Sequence, residues 1–114
     1  MDDEARQLLL TSAWLFARHG QKGRARVLLE ALSEENPKDG VVGAVLAQLL
    51  LDEGKAEDAL RVLRAAEFPD DLGRAEALLE ARALKALGRD DEAAARWSRY
   101  VKARMGGSRE WVAG

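Results

Sequence analysis

At 114 residues and 12.5 kDa the chain has room for one domain, and eighteen basic against twenty acidic residues leave a net charge of -2, so no global field draws it to nucleic acid or anionic lipid. The absence of cysteine excludes a disulfide framework and a thiolate metal site. A composition of 47% apolar and 33% charged residues fits a folded, helix-rich chain rather than a disordered one.

The first predicted element is a helix from Asp3 to His19, with Asp2, Asp3 and Glu4 placing negative charge at its positive end. Leu9, Ala13 and Phe16 form one apolar face, and Leu10, Trp14 and Ala17 form a second stripe that needs a partner. The second helix, Lys22 to Glu35, turns Ala25, Leu28, Leu29 and Leu32 inward and Arg24, Arg26 and Glu30 outward, and Asn36-Pro37 stops it. The third, Asp39 to Glu53, has Val42, Leu46, Ala47 and Leu50 on its packed side and Val41, Ala44, Gln48 and Leu51 on the other.

A short fourth helix runs from Ala56 to Glu67, and Phe68-Pro69-Asp70-Asp71 makes a turn in which Asp70 or Asp71 is the expected N-cap of the fifth. The fifth, Leu72 to Leu87, packs through Ala77, Ala81 and Leu84 and points Leu78, Arg82 and Lys85 away. The sixth, Asp90 to Arg104, buries Ala93, Trp97, Tyr100 and Val101, and Gly106-Gly107-Ser108 is expected to break it. Residues 106–114 are read as a tail, with Trp111 either docked on the last helix pair or loose.

These six elements are three copies of one unit. Gly20 with Ala25, Gly54 with Ala59 and Gly88 with Ala93 recur at 34-residue intervals. Alanine lets two antiparallel helices approach closely, and the bulky residue one turn away fills the space beside the crossing. The glycine ends each first helix where a positive φ is needed. A helix pair of this period resembles the tetratricopeptide repeat, and Pro37 stands where that repeat has its proline, whereas Asp71 and Met105 occupy the place in the later copies. The predicted fold is all-α: three helix-turn-helix repeats, about 6–39, 40–73 and 74–105, stacked in a right-handed superhelix as a single domain over 1–105.

Little in the sequence points to catalysis. The one histidine, His19, adjoins a turn glycine and reads as a helix C-terminal cap, and with no cysteine the usual zinc and iron sites are excluded. Glu57 and Asp58, like Asp90, Asp91 and Glu92, fall in the first turn of a helix, where carboxylates act as caps more often than as acid/base pairs. The glycines lack the spacing of a phosphate loop. Arg96, Arg99, Lys102 and Arg104 make the outer side of the sixth helix basic, yet three acids share that helix and aromatic interleaving is sparse, so a solvated face is preferred to RNA binding. No cofactor or metal is expected. The acidic start is unlike a secretory leader, and Val41 to Leu51, the longest apolar stretch, falls short of a bilayer span, so a cytoplasmic protein with no membrane insertion is expected.

What remains is the inner stripe of the odd-numbered helices. In a right-handed stack these helices line a concave surface, and Gln7, Leu10, Trp14, Val41, Ala44, Gln48, Leu51, Leu78, Arg82 and Lys85 would face it. Full burial of four of them, Leu10, Trp14, Val41 and Leu51, is worth roughly 6 to 12 kcal/mol gross. Association costs about 4 to 15 kcal/mol, so an amphipathic helix or a longer wrapping segment is a better ligand than a short peptide. The same groove, or an uncapped end of the stack, could also pair with a second copy, and the sequence does not choose between them.

Leu8-Leu9-Leu10-Thr11-Ser12-Ala13-Trp14-Leu15, the Gly20 turn and the run ARVLLEALSEENP from Ala25 to Pro37 resemble the opening repeat of the YscY family. Gly88-Arg89-Asp90-Asp91-Glu92-Ala93 with Trp97, Tyr100 and Val101 is similar to that family's last repeat. Members are small tetratricopeptide chaperones of bacterial type III secretion systems. The resemblance implies a cytoplasmic chaperone of a Gram-negative bacterium that binds a small YscX-type early export substrate and helps present it to the export gate. A general scaffold that binds a helical or extended segment of another protein is the alternative.

Overall fold

The computed structural model describes residues 2–107, and among them six helices carry the architecture: α1 Asp3–Arg18, α2 Lys22–Glu35, α3 Gly40–Asp52, α4 Ala56–Ala65, α5 Gly73–Ala86 and α6 Asp90–Gly107. The three helix pairs close in the same way. Gly20, Gly54 and Gly88 adopt φ of +76°, +78° and +77°. After each glycine the next amide reaches back to close the helix end: Gln21 N donates to Phe16 O at 2.8 Å, Lys55 N to Leu50 O at 2.8 Å and Arg89 N to Leu84 O at 2.9 Å. The glycine amides themselves donate to Ala17, Leu51 and Lys85, which completes a Schellman motif in every copy.

Alanine sets the distance within each pair. Ala13, Ala25, Ala47, Ala59 and Ala77 are buried, while Leu29, Leu46, Leu63 and Val42 fill the space between helices. One apolar cluster runs through repeats one and two and takes in Leu79 of α5; a smaller one joins Leu60 of α4 to Ala83, Leu84 and Ala93. Leu49, Leu79 and Ala83, absent from the predicted packing faces, are buried because α3 and α5 each meet the preceding repeat as well as their own partner helix.

Ion pairs tie successive repeats. Arg6 of α1 donates from Nη2 to Asp39 Oδ1 at 2.9 Å, and that oxygen also accepts from Val42 N at 3.1 Å, so Asp39 both caps α3 and holds α1. Arg26 of α2 bonds Glu53 after α3 at 3.0 Å, and Arg64 of α4 reaches Glu80 of α5 at 3.6 Å. At the start of α3 the backbone packs on the connection after α4: Glu67 N donates to Lys38 O at 2.9 Å.

Several expectations are corrected. Neither Asp70 nor Asp71 caps α5, since Asp70–Leu72 form a short 3-10 turn and Leu72 stands at the N-cap without a side-chain bond. That turn uses backbone bonding, Leu72 N to Pro69 O, where the sequence suggested a carboxylate. Nor does α4 carry a side-chain cap; Asp58 pairs with Arg61 one turn on. α6 continues through Gly106 and Gly107, because helical glycine costs only about 1 kcal/mol relative to alanine and does not forbid the helix. Arg26 and Arg96 are half-buried members of ion-pair networks rather than outward-facing. Trp111 lies outside the described residues.

Candidate concave binding face

The 34-residue period converts the stack into a grid, with three equivalent positions side by side on α1, α3 and α5. Leu10, Ala44 and Leu78 make one row, Trp14, Gln48 and Arg82 the next, Gln7 and Val41 begin a third, and Leu51 and Lys85 fall in a fourth. Leu10, Ala44 and Leu51 are half-buried and rest on the main core cluster. Trp14, at 51% exposure, stands in solvent together with Val41 and Leu78. Gln7, Gln48, Arg82 and Lys85 are exposed.

Charge changes along this face. Trp14 at one end has the Arg18 guanidinium 4.9 Å above its ring. Toward the other end Arg82 Nη1 donates to Gln48 Oε1 at 3.1 Å, and Gln48 Nε2 donates to Asp52 at 3.1 Å. Lys85 lies furthest along, at the edge of a depression of about 380 Å³ that it shares with Asp90, Ala93 and Ala94. The arrangement is mainly apolar over repeats one and two, where Gln7, Gln48 and the Arg18 guanidinium are its polar members, and Arg82 and Lys85 make it cationic beside Leu78 over repeat three. It suits a segment with an apolar stripe and an acidic end.

Two carboxyls away from this face are shifted from their usual range. Arg6 holds the Asp39 carboxyl below its usual range, against the opposing effect of burial. Glu76 goes the other way: burial pushes its carboxyl up, and Arg96 only partly offsets that. Among the described residues no group of three or more His, Cys, Asp or Glu side chains could hold a metal ion. No helix among them is long and apolar enough to cross a membrane.

One apolar surface was missed in the sequence. Leu8, Leu15 and Val27 are among the most exposed large apolar side chains, and Phe16, Gly23, Arg24, Val27 and Leu28 border an open depression of about 540 Å³ between α1 and α2. The signal was present in the period: one repeat on, Leu8 and Leu15 correspond to Val42 and Leu49, which are buried.

A tetratricopeptide repeat family profile matches residues 16–80, from the last turn of α1 into α5 and so across the first two glycine turns. No curated protein and no solved structure matches the chain.

Proposed function

Because the chain belongs to the tetratricopeptide repeat family, a family of protein-interaction repeats, we propose that it binds an amphipathic segment of another protein along the concave face of α1, α3 and α5. The observation that carries this reading is Trp14. It is half exposed at the repeat-one end of the face, while Ala13 and Phe16 already belong to the core that holds α1 on α2. A large aromatic side chain left in solvent, with Val41 and Leu78 also exposed on the face, is the usual anchor of a protein interface. Leu10, Ala44 and Leu51 would form the floor, and Gln48, Arg82 and Lys85 would receive the polar end of the ligand. The unit acting in this way is the stack of repeats 6–39, 40–73 and 74–105 taken as one domain.

The finer reading is a cytoplasmic type III secretion chaperone holding a YscX-type early export substrate. Its support is the likeness of the Leu8 to Leu15 and Ala25 to Pro37 stretches to the YscY family. The apolar half of the face is suited to covering a helix that would otherwise aggregate before export.

Co-purification from the source cells, with the captured protein identified by mass spectrometry, tests both levels. Trp14→Glu should keep the helical circular dichroism of the parent and lose the partner, whereas Met105→Glu on exposed α6 surface should retain it. A partner held equally by Trp14→Glu would remove the groove. An identified partner that is not a secreted substrate would remove the chaperone reading alone.

A further inference from the structure

Where repeat two rests on repeat one, Val42 and Leu49 are 1% and 4% exposed. The same positions of α1 hold Leu8 and Leu15, which are 67% and 45% exposed. Between them lies Ser12, the counterpart of fully buried Leu46. Among the described residues this end of the stack thus presents to solvent the apolar positions that a repeat junction buries.

We propose that this end is a homodimer interface, in which α1 packs antiparallel on α1 of a second copy about a two-fold axis between Thr11 and Ser12. Leu8 of one protomer then meets Leu15 of the other, twice by symmetry. The spacing of Glu4, Leu8, Thr11, Leu15 and Arg18 is that of a two-helix seam, and the small Thr11 and Ser12 let the helices approach at the axis.

Charge selects this occupant and orientation. α1 begins with Asp2, Asp3 and Glu4, while Arg18 and Lys22 lie at and just beyond its other end. Antiparallel pairing sets each acidic end against the basic end of its partner; parallel pairing would set like against like. Head-to-tail stacking fails on the same ground. The repeats are joined by Arg6–Asp39, Arg26–Glu53 and Arg64–Glu80. Between the C-terminal end of one copy and the N-terminal end of another, the corresponding partners would be Arg74 with Ala5, Ala94 with His19, and Ser98 with Ser12. None of these is an ion pair. The isologous contact closes as a dimer and does not propagate.

The apolar contacts of the interface are separate from the concave face, since Leu10 and Trp14 lie on a different side of α1 from Leu8 and Leu15 by helical spacing, and Arg18, whose guanidinium stands over Trp14, is the residue at the border of the two. Both grooves stay open, and the dimer is bivalent.

Sedimentation of the 114-residue chain over a concentration series into the high micromolar range should give a dimer, and Leu15→Glu should weaken dimerisation at least about tenfold with unchanged circular dichroism. The chain has no cysteine, so Ser12→Cys should cross-link to its own copy on mild oxidation, while Ser98→Cys on α6 should not. A monomer throughout the series overturns the proposal. So does a dimer that survives both Leu8→Glu and Leu15→Glu, or one in which Ser12→Cys joins Ser98→Cys in preference to itself.

Discussion

Arg82 and Gln48, hydrogen-bonded at 3.1 Å, stand 34 residues apart at the same position of successive repeats, and Trp14 holds that position in the first. The row therefore changes from aromatic to amide to cation as it crosses the face. The bond is solvent-exposed, so Arg82→Ala should alter folding stability by no more than about 0.5 kcal/mol. Its effect should appear in binding. Affinity for the co-purified partner should fall and depend less on salt, checked by titration at two ionic strengths beside a urea melt.

Asp39 should be among the most sensitive polar positions, because one carboxylate caps α3 and holds Arg6 of the preceding repeat. Asp39→Ala should cost about 1 to 3 kcal/mol through the lost cap and the charge-assisted bonds, measured by urea denaturation at pH 7. The sign with pH follows from its lowered folded-state pKa. Its contribution is complete above the ordinary carboxylate range and is lost as pH falls through the lowered value. Asp39→Asn should therefore lose stability at pH 7 but flatten the acid limb of the stability curve.

Two helical glycines should respond in opposite directions. A Cβ on Gly40 would lie 2.6 Å from the Glu67 carbonyl oxygen and 3.1 Å from the Phe68 Cα, both backbone atoms that cannot simply turn aside. Gly40→Ala should cost about 1 to 3 kcal/mol. A Cβ on Gly23 in the first turn of α2 would meet nothing within 4 Å, so Gly23→Ala should gain a few tenths of a kcal/mol to about 1 kcal/mol from helix propensity. Paired thermal melts would check both, and equal destabilisation by the two would contradict the packing described.

These cases mark what was legible in the chain. Gly20, Gly54 and Gly88 announce themselves by period, and a turn that needs positive φ leaves few alternatives to glycine. Gly40 gives no such signal, since its need is set by Glu67, which approaches only once α4 has packed on α3. The missed ion pairs have the same origin: Arg26 and Arg96 look like solvent-facing charges by helical spacing, and their partners, Glu53 at the end of α3 and Glu80 of α5, come from other elements. The ten residues assigned to the concave face follow from period alone. What period did not show was that two of the three residues in the Trp14 row, Gln48 and Arg82, are hydrogen-bonded to each other; the exposure of Leu8 and Leu15 was legible in it, through their counterparts Val42 and Leu49.

The carboxylates around Arg96 should separate by function. Glu80 bonds the Arg96 guanidinium directly and also faces Arg64, and Glu80 and Arg96 each keep only 13% of their side-chain surface exposed. Glu80→Gln should cost about 1 to 3 kcal/mol by leaving Arg96 without its main counterion. Glu76 is 3.8 Å from the same guanidinium, but burial is the larger influence and raises its folded-state pKa. For a carboxyl raised in this way, stability falls as pH rises from the ordinary value through the raised one, and the loss persists at higher pH. Glu76→Gln should accordingly raise the urea midpoint at pH 7 and leave it unchanged at pH 3, where the carboxyl is protonated in both states. A lower midpoint at pH 7 would mean that the Arg96 attraction outweighs burial.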